Sequence, residues 1–210
     1  MNEYELAVIG DIHGNALALD ALLQCLEGRV SKYVFVGDYV NRGPDSSRVI
    51  DLLVKLSGRH QSVFVAGNHD LAFQNALEAG PLSPFLRIGG AATVRSYVPT
   101  PTGDVLEALR AAVPYEHRQF LKSMTPHFRG GGLLVTHRPN DRPTDAPASD
   151  YHVYGHQPQR SGAPWIGERH AAIDTGCGTL PNGRLTALFV PDRTYVQVSE
   201  VGEVVSSSRS

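Results

Sequence analysis

Short apolar runs that end in glycine alternate with stretches whose apolar residues fall three and four apart. Residues 6–9 form the first such run and stop at Gly10. Residues 15–26 follow with Leu19, Leu22, Leu23 and Leu26 at helical spacing, and Gly28 ends them. The pattern repeats: a strand at 33–36, a helix at 46–56 with Val49, Leu52, Leu53 and Leu56 on one face, and a strand at 63–66 closing at Gly67. This βαβαβ order predicts a mostly parallel sheet with right-handed crossovers. From 71 to 124 the pattern predicts four helical segments (71–77, 84–94, 105–113 and 116–124), broken by Pro81, Pro99, Pro101 and Pro114. They read as a small helical insert, 71–128, beside the site. Three glycines then lead into a fourth strand at 133–136. The Pro- and Asp-rich stretch 138–150 reads as an exposed loop. Short strands are expected at 153–154, 171–173, 185–190 and 195–198, with a turn at Asn182-Gly183. The serine-rich end, 206–210, is expected to fray. No repeat or linker divides the chain, so one domain over 1–205 is predicted.

Composition narrows the class without changing this picture. The chain has 210 residues, 41% apolar and 19% charged, which are values of an ordinary globular domain able to bury a core. The formal net charge of −2 gives no basic excess for duplex nucleic acid or anionic lipid. Cys25 and Cys177 form no CxxC pair, and the set suits a reducing cytoplasm. The acidic start, Met-Asn-Glu-Tyr-Glu, does not read as a signal peptide, and no run is apolar for long enough to span a bilayer.

The chemistry lies at the strand ends. Five predicted strands finish alike, with a glycine or small residue and then a metal-capable side chain: Gly10-Asp11-Ile12-His13-Gly14, Gly37-Asp38, Gly67-Asn68-His69-Asp70, Thr136-His137 and Gly155-His156. One such ending is an ordinary turn or a hydrogen-bonding histidine. Five in order point to a metal site, since strand ends are where open α/β folds place their sites. Aspartate oxygen, histidine nitrogen and asparagine oxygen together suit Mn, Fe or Zn better than Ca or Mg. Six candidate ligands exceed the need of one catalytic ion. Two ions about 3.5–4 Å apart, sharing a carboxylate, use them all. Asp38 is the expected bridge, on a loop that also carries Asn41 and Arg42.

These motifs (GDxHG, GDYVxRG, GNHD, a strand ending in His137, and GH) resemble, in order, the calcineurin-like metallophosphoesterases. The closest resemblance is to the PPP branch of Ser/Thr protein phosphatases and diadenosine tetraphosphate hydrolases. The short length and the stretch YGHQP…AAIDTG…GRLTAL resemble its compact phage-type phosphatases. The resemblance implies an α/β fold, a β-sandwich flanked by helices in αββα layers, with two sheets where the alternation alone suggests one. It implies that Asp11, His13, Asp38 and His156 hold the first of two divalent transition-metal ions. Asp38, Asn68 and His137 would hold the second, with Mn expected first and Fe, Zn or Ni as alternatives. His69 resembles the general acid, which protonates the leaving oxygen after a water acidified by the two ions attacks phosphorus in line. Arg42 resembles the phosphate clamp, and Asn68 would also face substrate. A further phosphate-binding arginine is expected, at Arg138 or Arg142.

One position departs from the phosphatase pattern. Those enzymes read GDYVDRG, and the second Asp orients the catalytic histidine. Here Asn41 stands in its place, and an amide orients without supplying charge. His69 is then a weaker proton reservoir, which matters for a serine alkoxide and little for a nucleoside diphosphate. GDxVNRGPDS with GNHD accordingly resembles the tetraphosphate hydrolases, although the chain is short for that group and shows no adenine pocket. Asp70 is a candidate for the missing charge. The leading expectation is a dinuclear-metal phosphatase acting on phosphomonoesters, phosphoserine or phosphothreonine proteins among them. The alternative is a symmetrical dinucleoside tetraphosphate hydrolase. A silent phosphate- or metal-binding module is disfavoured, because every ligand position and His69 are filled. His60, His117, His127 and His170 read as surface or packing residues and His152 as structural. Tyr39 reads as either substrate-adjacent or packed.

Overall fold

The computed structural model describes residues 4–207. The first half forms the expected alternation: β1 (Tyr4–Ile9), α1 (Ala16–Leu26), β2 (Val30–Phe35), α2 (Ser46–Ser57) and β3 (Gln61–Phe64). β1 and β2 pair in parallel, as do β2 and β3. α1 starts where it does because the Asn15 carboxamide caps it, accepting from Ala18 N–H at 3.0 Å. Asp45 caps α2 in the same way through Arg48 N–H.

The insert is helical: α3 (Asn68–Glu78), α4 (Leu82–Phe85), α5 (Ala91–Tyr97), α6 (Val105–Ala112) and α7 (Tyr115–Ser123). The single helix expected over 84–94 is interrupted by a π-turn at Leu86–Gly90, where Gly89 takes φ +92°. Three strands were not predicted. β4 (His127–Gly130) overlaps the end of the span assigned to the helical insert, β7 (Trp165–Ile166) has two residues, and β11 (Val204–Ser207) reaches into the end expected to fray. Residues 208–210 of that end lie outside the described residues. The other strands are β5 (Leu133–Thr136), β6 (Tyr151–Tyr154), β8 (His170–Ala172), β9 (Arg184–Val190) and β10 (Tyr195–Ser199).

Two sheets result, as the resemblance implied. The first has order β11-β10-β9-β1-β2-β3 and the second β4-β5-β6-β8-β7. Alternation along β1 and β2 explains how they stack. Ala7, Ile9, Tyr33 and Phe35 face the helices with Leu19, Leu22, Ile50 and Leu53. Leu6, Val8, Val34 and Val36 face the second sheet and meet Leu133, Val135, Val153 and Ala171. Both faces of these strands are buried, so they read as continuous apolar runs. β1, β2 and β3 in one sheet and β5 and β6 in the other all end at a common rim, and every metal-capable strand ending falls there.

Candidate metal centre

The rim is built from strained backbone. His13, Asp38, Asn41, Arg42 and His156 all have positive φ, between 45° and 75°. Left-handed backbone is tolerated best by Asn, Asp and His among residues with a side chain, and is least favourable at Arg42. Clustering of this kind marks functional sites, where the surrounding structure over-determines the conformation. Close approaches fix it. A Cβ on Gly67 would fall 2.2 Å from both Asp38 N and Oδ1, and one on Gly155 would fall 2.0 Å from Asp11 Oδ1. Both glycines are needed because a carboxylate occupies the space a side chain would take.

Backbone carbonyls set the histidine tautomers. His137 Nδ1 donates to Val36 O at 3.0 Å, and His13 Nδ1 faces Val40 O at 3.3 Å. The Nε2 lone pairs are thereby left for the centre, the arrangement usual for metal-ligating histidines. His137 Nε2 lies 3.1 Å from Asn68 Oδ1, 3.1 Å from His156 Nδ1 and 3.4 Å from Asp38 Oδ2. His13 Nε2 and His69 Nε2 lie 3.7 and 3.9 Å from Asp38 Oδ2. Asp38 thus stands between two clusters, His13 with His69 on one side and His137 with His156 on the other. Asp11 adjoins them, its carboxylate accepting His156 N–H at 3.1 Å. The resemblance had grouped the His156 ring with Asp11 and His13. It lies instead with His137, because neighbouring parallel strands, β5 and β6, deliver those two residues side by side.

The donor set fits divalent ions. Burial alone would push His137 down, but Asp38, Asp11 and Asp70 hold it up at about 9. Burial likewise disfavours charge on Asp38, yet His137, His13 and His69 keep its pKa below the usual carboxylate range. Burial, then the Asp174 charge, raises Asp11. Asp174 leaves Oδ2 buried with no hydrogen-bond partner among the described residues. Buried carboxylates converging on histidine lone pairs, without a lysine or arginine ion pair among the described residues, call for cations. His13, pushed down to about 4 by burial first, is neutral at physiological pH, whereas His137 would give up its Nε2 proton on taking an ion.

Asn41 approaches His69, not the metal cluster. The polar accounting around it closes. Thr93 Oγ accepts Asn41 N–H at 2.9 Å, meets Ser46 Oγ at 2.9 Å and donates to Asn41 Oδ1 at 2.7 Å. The amide NH2 is therefore turned to His69 Nδ1, 2.9 Å away, and donates to it. His69 keeps its proton on Nε2, facing Asp38. Ser46 closes the GDxVNRGPDS stretch without a role having been assigned to it, and Thr93 is a site residue that no sequence motif marked. Thr93 lies in the insert, 52 positions from Asn41, and only packing brings them together.

Asp70 does not contribute charge to His69, contrary to expectation. Both its oxygens go to backbone, accepting from Asp38 N–H at 2.7 Å, Tyr39 N–H at 2.9 Å and Gly67 N–H at 3.0 Å. It locks the Asp38 turn to the start of α3. Burial and the Asp38 charge push it up to about 7, against those three donors. Arg42 is exposed, carried by its N–H bond to Gly89 O at 3.3 Å, and its guanidinium is unpaired among the described residues. Arg138 and Arg142 separate: the charge of Arg138 acts on His156 and that of Arg142 on His152. Tyr39 is packed, fully buried with its hydroxyl on Val65 O. His117 is also a packing residue, held between Tyr97 and Asp51.

The family is then clear: residues 4–172 match the model of the calcineurin-like phosphoesterases, and the chain belongs to that family. It is a metallophosphoesterase, a hydrolase. Among its relatives is the asymmetrical bis(5'-nucleosyl)-tetraphosphatase PrpE of Geobacillus thermodenitrificans, 29% identical over 91% of this chain and 92% of that one. A symmetrical bis(5'-nucleosyl)-tetraphosphatase of Coxiella burnetii is 42% identical, over 30% of this chain and 22% of its own. A putative serine/threonine-protein phosphatase of Caenorhabditis elegans is 37% identical, over 36% of this chain and 21% of its own. Among solved structures, a putative diadenosine tetraphosphatase shares the fold with TM-score 0.66 at 22% identity, covering 94% of both chains.

Proposed function

We propose that this chain hydrolyses the phosphoanhydride bonds of dinucleoside polyphosphates, with two divalent ions as cofactors. The observation that carries this reading is the Asn41–His69 bond. An amide N–H donated to Nδ1 is compatible only with neutral imidazole, because an imidazolium would set two donors against each other. Neutral His69 offers Nε2–H as a hydrogen-bond donor, not as a strong acid. That suffices for a nucleoside polyphosphate leaving group, which is a weak base, and serves a serine alkoxide poorly. The relative matched over nearly its whole length is a tetraphosphatase, which supports the same choice.

Asp11, His13 and Asp38 would hold one ion. Asp38, Asn68, His137 and His156 would hold the other, with manganese the first to test. When bound, such ions neutralise phosphate charge and acidify water at neutral pH. Arg42 lies at the mouth of the centre with its fork free, and grips phosphate oxygens by charge-assisted bonds. Arg138 adds charge on the His156 side. Asn41 and Thr93 hold the His69 ring in register. A cytoplasmic setting belongs to this reading; among the described residues no helix is long and apolar enough to cross a membrane.

The substrate panel decides. Manganese-loaded protein is incubated with diadenosine tetraphosphate, a phosphoserine peptide and p-nitrophenyl phosphate. Nucleotides are expected as the fastest products, two ADP from a symmetrical cut or ATP and AMP from an asymmetrical one. Fast phosphopeptide turnover without nucleotide release would overturn the reading in favour of the phosphomonoesterase.

Thr93 gives a second test. Thr93→Val frees the Asn41 amide and should lower kcat for phenyl phosphate, whose basic leaving oxygen needs the His69 proton, about tenfold, the cost of one orphaned buried hydrogen bond. KM should move little, and Thr93→Ser should restore the rate. Steady-state kinetics on the three proteins reads this.

A further inference from the structure

The outer face of the second sheet holds a cavity that the catalytic reading leaves unused. Alternation along β5, β6 and β8 sends Val135, Val153 and Ala171 inward to the core. The cross-strand neighbours Thr136, His152, Tyr154 and His170 therefore share the opposite face. The 138–150 loop closes over them and leaves a space of about 390 Å³, lined by Arg142, Asp150, His152, Tyr154, Arg169 and His170. That volume is within the range of small-molecule sites.

Its chemistry is specific. Rings form a row: Trp165 and His170 have centroids 4.3 Å apart, and His170 stacks on Tyr154 at 5.8 Å with 22° between planes. His152 is 94% buried, the complement of its 6% exposure. The Thr136 hydroxyl donates to Arg138 O at 2.6 Å, so at its 2.7 Å contact with His152 it accepts, and His152 Nε2 is the donor. Nδ1 of the neutral ring then carries a lone pair for which the described residues provide no donor. His152 lines the cavity, so that lone pair is open to a donor that enters it. Arg142 and Arg169 reach the carbonyls of Pro147 and Ala148, at the edge of the cavity. Asp150 is neutralised by Arg129 at 2.9 Å, so cationic charge is left to meet an anion.

We propose that this cavity is the distal nucleoside subsite, taking a purine base whose exocyclic amine donates to His152 Nδ1. The ring row supplies stacking surface, worth about 1–3 kcal/mol per base in other aromatic platforms. Arg142 and Arg169 meet the first phosphates. The inference rests on the dinucleoside polyphosphate reading above and adds where the second nucleoside sits. The geometry allows it, because β6 carries His152 and leads directly into Gly155 and His156. The four residues from His152 to His156 span at most about 14 Å of chain, a gap that a polyphosphate chain can cross. Arg138, Pro139 and Arg142 follow His137 along the route. No sequence motif announces this pocket, because its residues come from two strands and the segments before them.

Trp165 is the sole tryptophan of the chain and reports on the cavity through His170, a lining residue whose ring it meets at 4.3 Å. Its fluorescence is titrated with ADP and, separately, with pyrophosphate, in metal-free protein. ADP is expected to quench it saturably and pyrophosphate not to. Arg142→Ala and Arg169→Ala should each weaken ADP binding about tenfold, the loss of one charge-assisted bond. In manganese-loaded protein the same variants should lower kcat/KM for diadenosine tetraphosphate, relative to p-nitrophenyl phosphate, by a similar factor. Equal responses to ADP and pyrophosphate, or an unchanged substrate ratio, would overturn the subsite and leave the anhydride reading standing. Saturable, base-dependent quenching without hydrolysis of diadenosine tetraphosphate would keep the subsite and sink the proposed reaction.

Discussion

Asp38→Asn is expected to cost the protein its metal and, with it, activity by more than about a hundredfold. Losing even an outer partner of a metal ligand costs up to about that much, and Asp38 is more than an outer partner. Its Oδ2 lies within 3.4–3.9 Å of His13, His69 and His137, and its Oδ1 accepts His69 N–H at 3.0 Å. Among the described residues it is the side chain common to both clusters. The amide keeps the shape and removes the charge, so the turn, fixed by Asp70 through Asp38 N–H and Tyr39 N–H, should survive. Elemental analysis of the purified variant reads the metal. Thermal melts add a second measure: manganese should raise Tm for the native protein, since it binds only the folded state, and should fail to do so for Asp38→Asn. Unchanged metal content would refute the bridging role.

The parts of this centre that were legible in the sequence are local. An apolar run, a glycine and a ligand-type side chain within four residues specify a strand end and its chemistry together, and the structure brings all five endings to one rim. The parts that were not legible depend on contacts between distant segments. Asp70 reads as a charge beside His69 because it is the next residue, but the helical start turns it away, onto the backbone of residues 38, 39 and 67. Thr93 is unremarkable in sequence and decisive around Asn41. The ring of His156 joins His137 because β5 and β6 are neighbours, and nothing in the spacing of 19 residues says so. In the fold, β1 to β3 were legible from periodicity. β4, β7 and β11 were missed because two to four residues cannot establish a period.

His69→Ala should separate the roles of proton donor and metal ligand. His69 Nε2 lies 3.9 Å from Asp38 Oδ2, and its ring meets His13 edge-on at 4.8 Å, close enough that ligation is a real alternative. A donor is needed in proportion to the basicity of the leaving oxygen. With phenyl phosphate, a poor leaving group, the variant is expected to lose roughly 10²–10⁴ in kcat, the span usual for a positioned acid. With diadenosine tetraphosphate the loss should stay under about tenfold, because an ADP or ATP oxygen departs as a stabilised anion. Metal content should match the native protein. If metal is lost and every substrate slows alike, His69 is a ligand and the Asn41 contact merely seats it. If metal stays and the loss is steep for phenyl phosphate alone, the neutral imidazole fixed by Asn41 and Thr93 is what confines this fold to good leaving groups. Asn41→Asp should then move the preference back toward esters, by supplying the charge that an amide cannot.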